Sequence, residues 1–266
     1  MRDRFGRTID YLRVSVTDRC NLRCRYCVPE GSVELLPADE VLSFEEIAEV
    51  TRTAVGMGVT KVRITGGEPL VRRDIAVLVR MLAGISGIRD LAMTTNGTLL
   101  PAYAADLAAA GLQRVNISLD TLSPARYRYL TRGGDVRQAL EGISAARAAG
   151  LQPIKLNCVV AASPEEPDAR AVARFAHENS FDVRFIARMD PRAGSFSVVQ
   201  GGDGGDCARC SRLRLSSTGL VRPCLFSDLG FSVRELGAAE AIRRAVEHKP
   251  KAGGPCTRNW IRTVGG

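Results

Sequence analysis

Ser43-Phe44-Glu45-Glu46-Ile47, continued through Val50, Ala54 and Val55 to Gly56-Met57-Gly58-Val59-Thr60-Lys61-Val62-Arg63-Ile64-Thr65-Gly66-Gly67, is the stretch that decides the fold. Ser43 and Glu46 have capping-box spacing, so each side chain can satisfy an orphan N–H of a first helical turn. Ile47, Val50, Ala54 and Val55 fall at i, i+3, i+7 and i+8, one helical face, and Gly56 and Gly58 end the run. The β-branched run 61–65 then reads as a buried strand. Working outward, strands are expected at 11–17, 91–95, 114–119, 154–160 and 183–186, with helices at 74–82, 102–110, 135–149 and 168–179. Such alternation with short links predicts a parallel sheet with right-handed crossovers. Six units are too few for an eight-stranded barrel, so the expected fold is α/β, a partial (βα)6 TIM-type barrel. Its ligands would sit at the C-terminal ends of the strands.

The alternation stops after Met189. Residues 190–206, with Gly194, Gly201, Gly202, Gly204 and Gly205, read as a flexible connector, and 207–266 as a small C-terminal domain carrying cysteines. One amphipathic helix is expected over 236–249. The barrel would then occupy 1–189.

At 266 residues, 45% hydrophobic and 25% charged, the chain has enough apolar material for a core without disulfides. No stretch approaches the roughly 18 uninterrupted apolar residues of a membrane span, and the charged opening Met1-Arg2-Asp3-Arg4 lacks a secretory apolar run, so a cytoplasmic protein with no membrane partner is expected. Net charge is +8, and 33 of the 37 basic residues are arginine. Most are compositional habit; a few could grip a multiply charged anion through the guanidinium fork. With aromatics at 5%, a stacking platform for nucleic acid is not expected.

Eight cysteines in a reducing compartment point to metal or cluster ligation rather than disulfides. Cys20, Cys24 and Cys27 form Cys-x3-Cys-x2-Cys just after the first strand. Three thiolates can hold a [4Fe–4S] cluster with one iron left open, or form part of a zinc site that borrows a distant ligand. After the second strand, Gly66-Gly67-Glu68-Pro69 offers two glycines for close backbone approach and a carboxylate able to accept from an ammonium. A second set, Cys207, Cys210 and Cys224, again supplies three ligands, with Arg212 and Arg214 between them. Thr94 and Ser118 stand at strand ends, where a hydroxyl can bond a ligand or cap the next helix. His177 and His248 read as surface residues and Cys158 as a small buried apolar side chain.

The cysteine triplet one strand before Gly-Gly-Glu-Pro resembles the radical S-adenosylmethionine superfamily. With Leu12-Arg13-Val14-Ser15-Val16-Thr17-Asp18-Arg19, Arg63, Lys155-Leu156-Asn157, the second cysteine set and the closing Gly265-Gly266, the chain is similar to the GTP 3′,8-cyclase family of molybdenum-cofactor biosynthesis. That resemblance implies two [4Fe–4S] clusters, on Cys20, Cys24 and Cys27 and on Cys207, Cys210 and Cys224. It implies S-adenosylmethionine bound by Tyr26, Gly66, Gly67, Glu68, Ser118 and Met189, and GTP bound by Arg13, Arg63, Thr94, Lys155, Arg212 and Arg214. Arg13, Arg212, Arg214, Gly265 and Gly266 would act in catalysis, the Gly-Gly tail reaching back into the site. In that family a 5′-deoxyadenosyl radical takes hydrogen from the ribose C3′ of GTP, and the carbon radical attacks C8 of guanine. The implied partners are a flavodoxin- or ferredoxin-type reductant and a downstream cyclic pyranopterin monophosphate synthase, with a homodimer as one arrangement.

The chain departs from the pattern where the family carries a longer segment before the second cysteine set, and at Ala187, where the family usually has a carboxylate. Cys256 belongs to no family motif. Two other readings are a radical enzyme acting on another substrate such as a peptide, and a zinc ribbon built from Cys207, Cys210, Cys224 and Cys256.

Overall fold

The capping box forms as its spacing predicts. The Ser43 hydroxyl accepts from the Glu46 amide at 3.1 Å and the Glu46 carboxylate from the Ser43 amide at 2.7 Å, starting α1 (Phe44–Gly56). Ser43→Ala is expected to cost about 1 kcal/mol and to lower the Tm of the apo chain by roughly 2–4 °C, measured by thermal circular dichroism. The computed structural model describes residues 1–28, Gly31 and 35–256. Gly265 and Gly266 lie outside the described residues.

All six expected strands are present: β1 (Tyr11–Ser15), β2 (Lys61–Thr65), β3 (Asp90–Thr95), β4 (Arg114–Ser118), β5 (Lys155–Val160) and β6 (Asp182–Ala187). Between them run α2 (Ile75–Ala83), α3 (Leu100–Ala109), α4 (Pro124–Thr131), α5 (Val136–Ala148) and α6 (Pro167–Glu178). Of these, α4 was not expected. It buries only Tyr127 and Thr131, so it carries no apolar stripe, and is started instead by Pro124 and the Ser123 hydroxyl.

The strands form one continuous sheet in the order β6-β5-β4-β3-β2-β1-β7-β8-β9, where β7 (Arg212–Leu215), β8 (Leu220–Arg222) and β9 (Phe231–Ser232) come from the C-terminal segment. β1 to β6 pair in parallel, and β7 pairs in parallel with the free side of β1 before the chain turns into an antiparallel meander. The barrel is therefore partial, as expected, and residues after 207 extend the sheet that the βα units begin. The division at 190–206 is one of pattern, βα repeat before it and meander after it. Two helices follow, α7 (Val233–Leu236) and α8 (Ala238–Glu247), the latter burying Ala241, Ile242, Ala245 and Val246 where one helix was expected.

Side chains alternate along each strand. Leu12, Val14, Val62, Ile64, Met93, Val115 and Ile117 enter the core beneath the helices, while Tyr11, Arg13, Arg63, Thr94, Ser118 and Arg184 line cavities on the opposite face. One face is thus an apolar core and the other is polar and charged. Cys158 is fully buried in the core, and His177 is exposed. His248 is exposed too and rests against the Phe231 ring.

The connector is more ordered than its glycines suggested. Asp190 and Ser195 exchange backbone hydrogen bonds of 2.9 Å, and Gln200 then pairs with Phe185 of β6 at 3.0 and 3.1 Å. Gly201 has φ +78°, and a Cβ there would lie 2.4 Å from the Val183 carbonyl oxygen. Its glycine permits close approach to the sheet edge rather than freedom of movement. The expectation of a flexible tether is corrected: the segment lies along β6 and covers part of its edge.

Candidate active site

A cavity of about 180 Å³ sits where the strands end. Cys20, Cys24 and Cys27 border it from the loop after β1, Gly66, Gly67 and Glu68 from the loop after β2, and Thr94 and Ser118 from β3 and β4. Two turn hydrogen bonds of 2.9 Å, from the Cys27 and Val28 amides to the Cys24 carbonyl, fold the cysteine loop. None of the three is in a disulfide. Burial pushes the Cys24 thiol up to about 12, and Asp120 and the neighbouring Cys27 and Cys20 add to the effect. The Cys24 thiol thus sits among groups that disfavour its negative charge, the situation that a bound metal cation or cluster relieves.

The backbone at Gly67 runs so close to the cysteine loop that a Cβ would stand 2.3 Å from the Arg19 carbonyl oxygen, while the Gly67 amide donates to the Thr17 carbonyl at 2.7 Å. The two glycines therefore clamp the β2 loop to the β1 loop. The Glu68 carboxylate is engaged within the protein as well as bordering the cavity. Its oxygens accept from the Leu70 amide at 3.1 Å, the Thr95 hydroxyl at 2.7 Å and the Asn96 amide at 2.7 Å, and the residue is 1% exposed. Burial lifts its carboxyl to about 7 against these three donors. It staples the ends of β2 and β3 together. Tyr26 donates to the Asp120 carboxylate at 2.8 Å, which the Val159 amide also approaches at 2.8 Å. The Thr94 hydroxyl is buried and has no hydrogen-bond partner among the described residues.

A larger cavity of about 330 Å³ lies at the other end of the strands. Its walls come from the first and third residues of β1 and β2, Tyr11, Arg13, Lys61 and Arg63, from Arg114 at the start of β4, and from Arg212 and Arg214 in β7. Strand register places Arg13 beside both Arg63 and Arg214, and Tyr11 beside Arg212. Cys207 and Cys210, just before β7, and Cys224, just after β8, close one side. The expectation that ligand groups gather at strand C-termini holds for the smaller cavity and is corrected for this one.

Like charges crowd this space. Arg13, Arg63 and Arg214 are at most 9% exposed. Burial, reinforced by Arg214, Arg63 and Arg212, pulls the Arg13 guanidinium down to about 9. The Tyr11 hydroxyl, which burial alone would raise, is held below its usual range by Arg13, Arg63, Arg212 and Arg214. The Nε atoms of Arg63 and Arg184 are buried without hydrogen-bond partners among the described residues. Two carboxylates answer part of the charge: Asp90 pairs with Arg114 at 2.6 Å, and Asp203 of the connector with Arg212 at 2.8 Å. The crowded guanidinium groups make this chamber strongly electropositive.

Of the expected residues, Lys155 is not a wall of this cavity; its ammonium pairs with Asp182 at 2.6 Å at the start of β5. Thr94 borders the smaller cavity rather than the arginine-rich one. Arg114, Arg184, Lys249 and Asp203 were missed. Arg184 was legible in principle, since it shares a face with Ile186 in a recognised strand. Asn157, Ile186 and Met189 line both cavities, which therefore adjoin as two chambers of one channel. Ala187 borders the smaller one. Cys256 is 1% exposed and donates to the Leu225 carbonyl at 3.7 Å, outside the walls that Cys207, Cys210 and Cys224 share. With Cys256 apart from the other three, the four-thiolate zinc ribbon is not favoured.

Comparison with known proteins agrees with this geometry. The Radical SAM superfamily model matches residues 14–176. A GTP 3′,8-cyclase of Geobacter sulfurreducens is 40% identical over 304 aligned positions, covering 95% of this chain and 93% of the relative. That of Thermodesulfovibrio yellowstonii is 38% identical over 322 positions, covering all of both chains. Both alignments are longer than the 266 residues available, so the relatives carry segments that this chain lacks. Among solved structures, native anSMEcpe with bound AdoMet superposes with a TM-score of 0.62 at 15% identity, over 91% of this chain and 81% of that one, a likeness of fold. With the match to residues 14–176 and this identity across nearly its whole length, the chain belongs to the GTP 3′,8-cyclase family of the Radical SAM superfamily.

Proposed function

We propose that this chain converts GTP to 3′,8-cyclo-7,8-dihydro-GTP, the first step of molybdopterin biosynthesis. One observation carries the reading: a chamber ringed by three thiols adjoins a chamber ringed by arginines and three further thiols, across Asn157, Ile186 and Met189. The donor sets fit the implied groups, because three cysteines border each chamber and a [4Fe–4S] cluster held by three thiolates keeps one iron open. Cys20, Cys24 and Cys27 would hold the first cluster and Cys207, Cys210 and Cys224 the second. When bound, the first cluster and S-adenosylmethionine supply an electron and a hydrogen-abstracting carbon centre.

The chain's own residues position and enclose. Gly66 and Gly67 keep the cofactor shelf tight against the cysteine loop, Tyr26 is fixed by Asp120, and Ser118 and Met189 complete the S-adenosylmethionine chamber. Arg13, Arg63, Arg212 and Arg214 hold the triphosphate, joined by Arg114 and Arg184. Lys155 orders the start of β5 through Asp182. Gly265 and Gly266 are proposed to reach the nucleotide from the C-terminus. Residues 1–189 form the cofactor-binding part and 207–266 the part that carries the second cluster. A multiply charged substrate suits the arginine chamber better than a peptide does. Among the described residues no helix is long and apolar enough to cross a membrane. We place the protein in the cytoplasm, with a flavodoxin- or ferredoxin-type donor, a downstream cyclic pyranopterin monophosphate synthase and a homodimer as its partners. Anaerobic incubation with GTP, S-adenosylmethionine and a strong reductant should yield the 3′,8-cyclised nucleotide by mass spectrometry. Cofactor cleavage with GTP left unmodified would refute the assignment.

Asp203 adds a feature of its own. Its carboxylate lies in the anion chamber on Arg212, with Arg184 and Arg63 near enough to hold it in the charged form. The triphosphate must compete with it. Asp203→Asn is therefore expected to tighten GTP binding by up to about fivefold, matching the ~1 kcal/mol of an exposed ion pair. Anaerobic calorimetry would show this, and weaker binding would mean that Asp203 supports the site instead.

A further inference from the structure

Lys249 is 2% exposed, yet it carries an ammonium group. It follows α8, on the side of the larger chamber that holds the second cysteine set. Its Nζ donates to the Arg212 carbonyl at 2.6 Å and to the Pro223 carbonyl at 2.7 Å, the residues that lead into β7 and out of β8. Arg212 stands two residues after Cys210 and Pro223 directly before Cys224, and Lys249 lines the same chamber as both cysteines. The ammonium therefore grips the backbone beside two of the three cysteines.

The charge balance around it is unusual. Among the described residues no carboxylate pairs with Lys249, and the charged groups that act on it are the Cys210 and Cys224 sulfurs and the Arg7 guanidinium. Arg7 is itself pinned nearby, donating to the Cys207, Pro250 and Lys251 carbonyls at 2.6–3.1 Å. A buried ammonium needs an anion close by. Among the described residues the groups placed to supply one are Cys210 and Cys224, once they ligate iron as thiolates. The same side chain ties β7 to the end of β8, so it also fixes where Cys210 and Cys224 stand relative to each other.

We infer that Lys249 is a positioning residue for the second cysteine set, the buried counter-charge that holds Cys210 and Cys224 in place and eases reduction of the cluster they bind. This rests on the reading that Cys207, Cys210 and Cys224 hold a [4Fe–4S] cluster. A three-thiolate cluster is anionic and gains a further negative charge on reduction, so a fixed cation at one of its ligands favours the reduced form and raises the potential. No contact between Lys249 and substrate is required.

The test compares Lys249→Arg, Lys249→Gln and Lys249→Met in the full chain, with Cys20, Cys24 and Cys27 changed to Ala so that iron reports on the second set alone. Iron content and the midpoint potential, from an EPR-monitored redox titration, are the readouts. Gln keeps hydrogen bonds to the two carbonyls but loses the charge; Arg keeps the charge. The expected result is a potential close to the Lys249 parent for Arg and clearly more negative for Gln and Met at equal iron content. If the neutral variants fail to load iron while Arg loads it, the counter-charge is likewise required. If Gln loads iron with an unchanged potential, or if Arg fails along with the neutral variants, Lys249 is a packing element and the inference falls. If the Lys249 parent itself takes up no iron, the fault lies in the cluster reading and not in Lys249.

Discussion

Cys24→Ala is expected to abolish S-adenosylmethionine cleavage, while Cys210→Ala leaves cleavage measurable and eliminates the cyclised nucleotide. The two cysteines belong to separate sets at opposite ends of the strands, Cys24 in the loop after β1 and Cys210 just before β7. Wild-type chain reconstituted with iron and sulfide should hold about eight irons and each variant about four. Iron assays read the loading, and chromatography of 5′-deoxyadenosine and nucleotide reads the two activities. A wild-type chain that saturates at four irons would remove the second cluster, and loss of all cleavage in Cys210→Ala would show that the two sets do not work separately.

The second large effect concerns the anion chamber. Changing Arg212 and Arg214 together to Ala should weaken GTP binding by at least about a hundredfold, since charge-assisted bonds contribute roughly 1.5–3 kcal/mol each. S-adenosylmethionine affinity should stay near the wild-type value, because both arginines border the larger chamber and neither borders the smaller one. Arg214 also lies close enough to Cys224 and Cys210 to feel their charge, so iron content is measured alongside calorimetry. Equal loss of both ligands would indicate a folding defect.

What could be read from the sequence was local. Strand 61–65, the Ser43 capping box and the cysteine triplet each depend on neighbours a few residues apart, and each appears where its spacing put it. The orientation of the arginine chamber was not legible. It depends on Tyr11 pairing with Arg212, two hundred residues away, in a parallel register that no short-range pattern specifies. Lys249 escaped for the same reason: its partners Arg212 and Pro223 are distant in sequence, and a lone lysine after a helix reads as solvated. The structural partners of Glu68, the Thr95 hydroxyl and the Asn96 amide, were hidden too, because they come from the next strand and its loop. The glycines of the connector read as slack because their contacts with β6 are invisible until the edge of the sheet is known.

The position of the two chambers, one at each end of the same strands and adjoining at Asn157, Ile186 and Met189, has a kinetic meaning. Two compounds that approach from opposite ends of the strands do not queue for one doorway. Either can occupy its seat while the other seat is empty, so the geometry favours a random order of addition over a compulsory one. Each spent half, the amino acid and deoxynucleoside on one side and the altered nucleotide on the other, can likewise leave by its own exit.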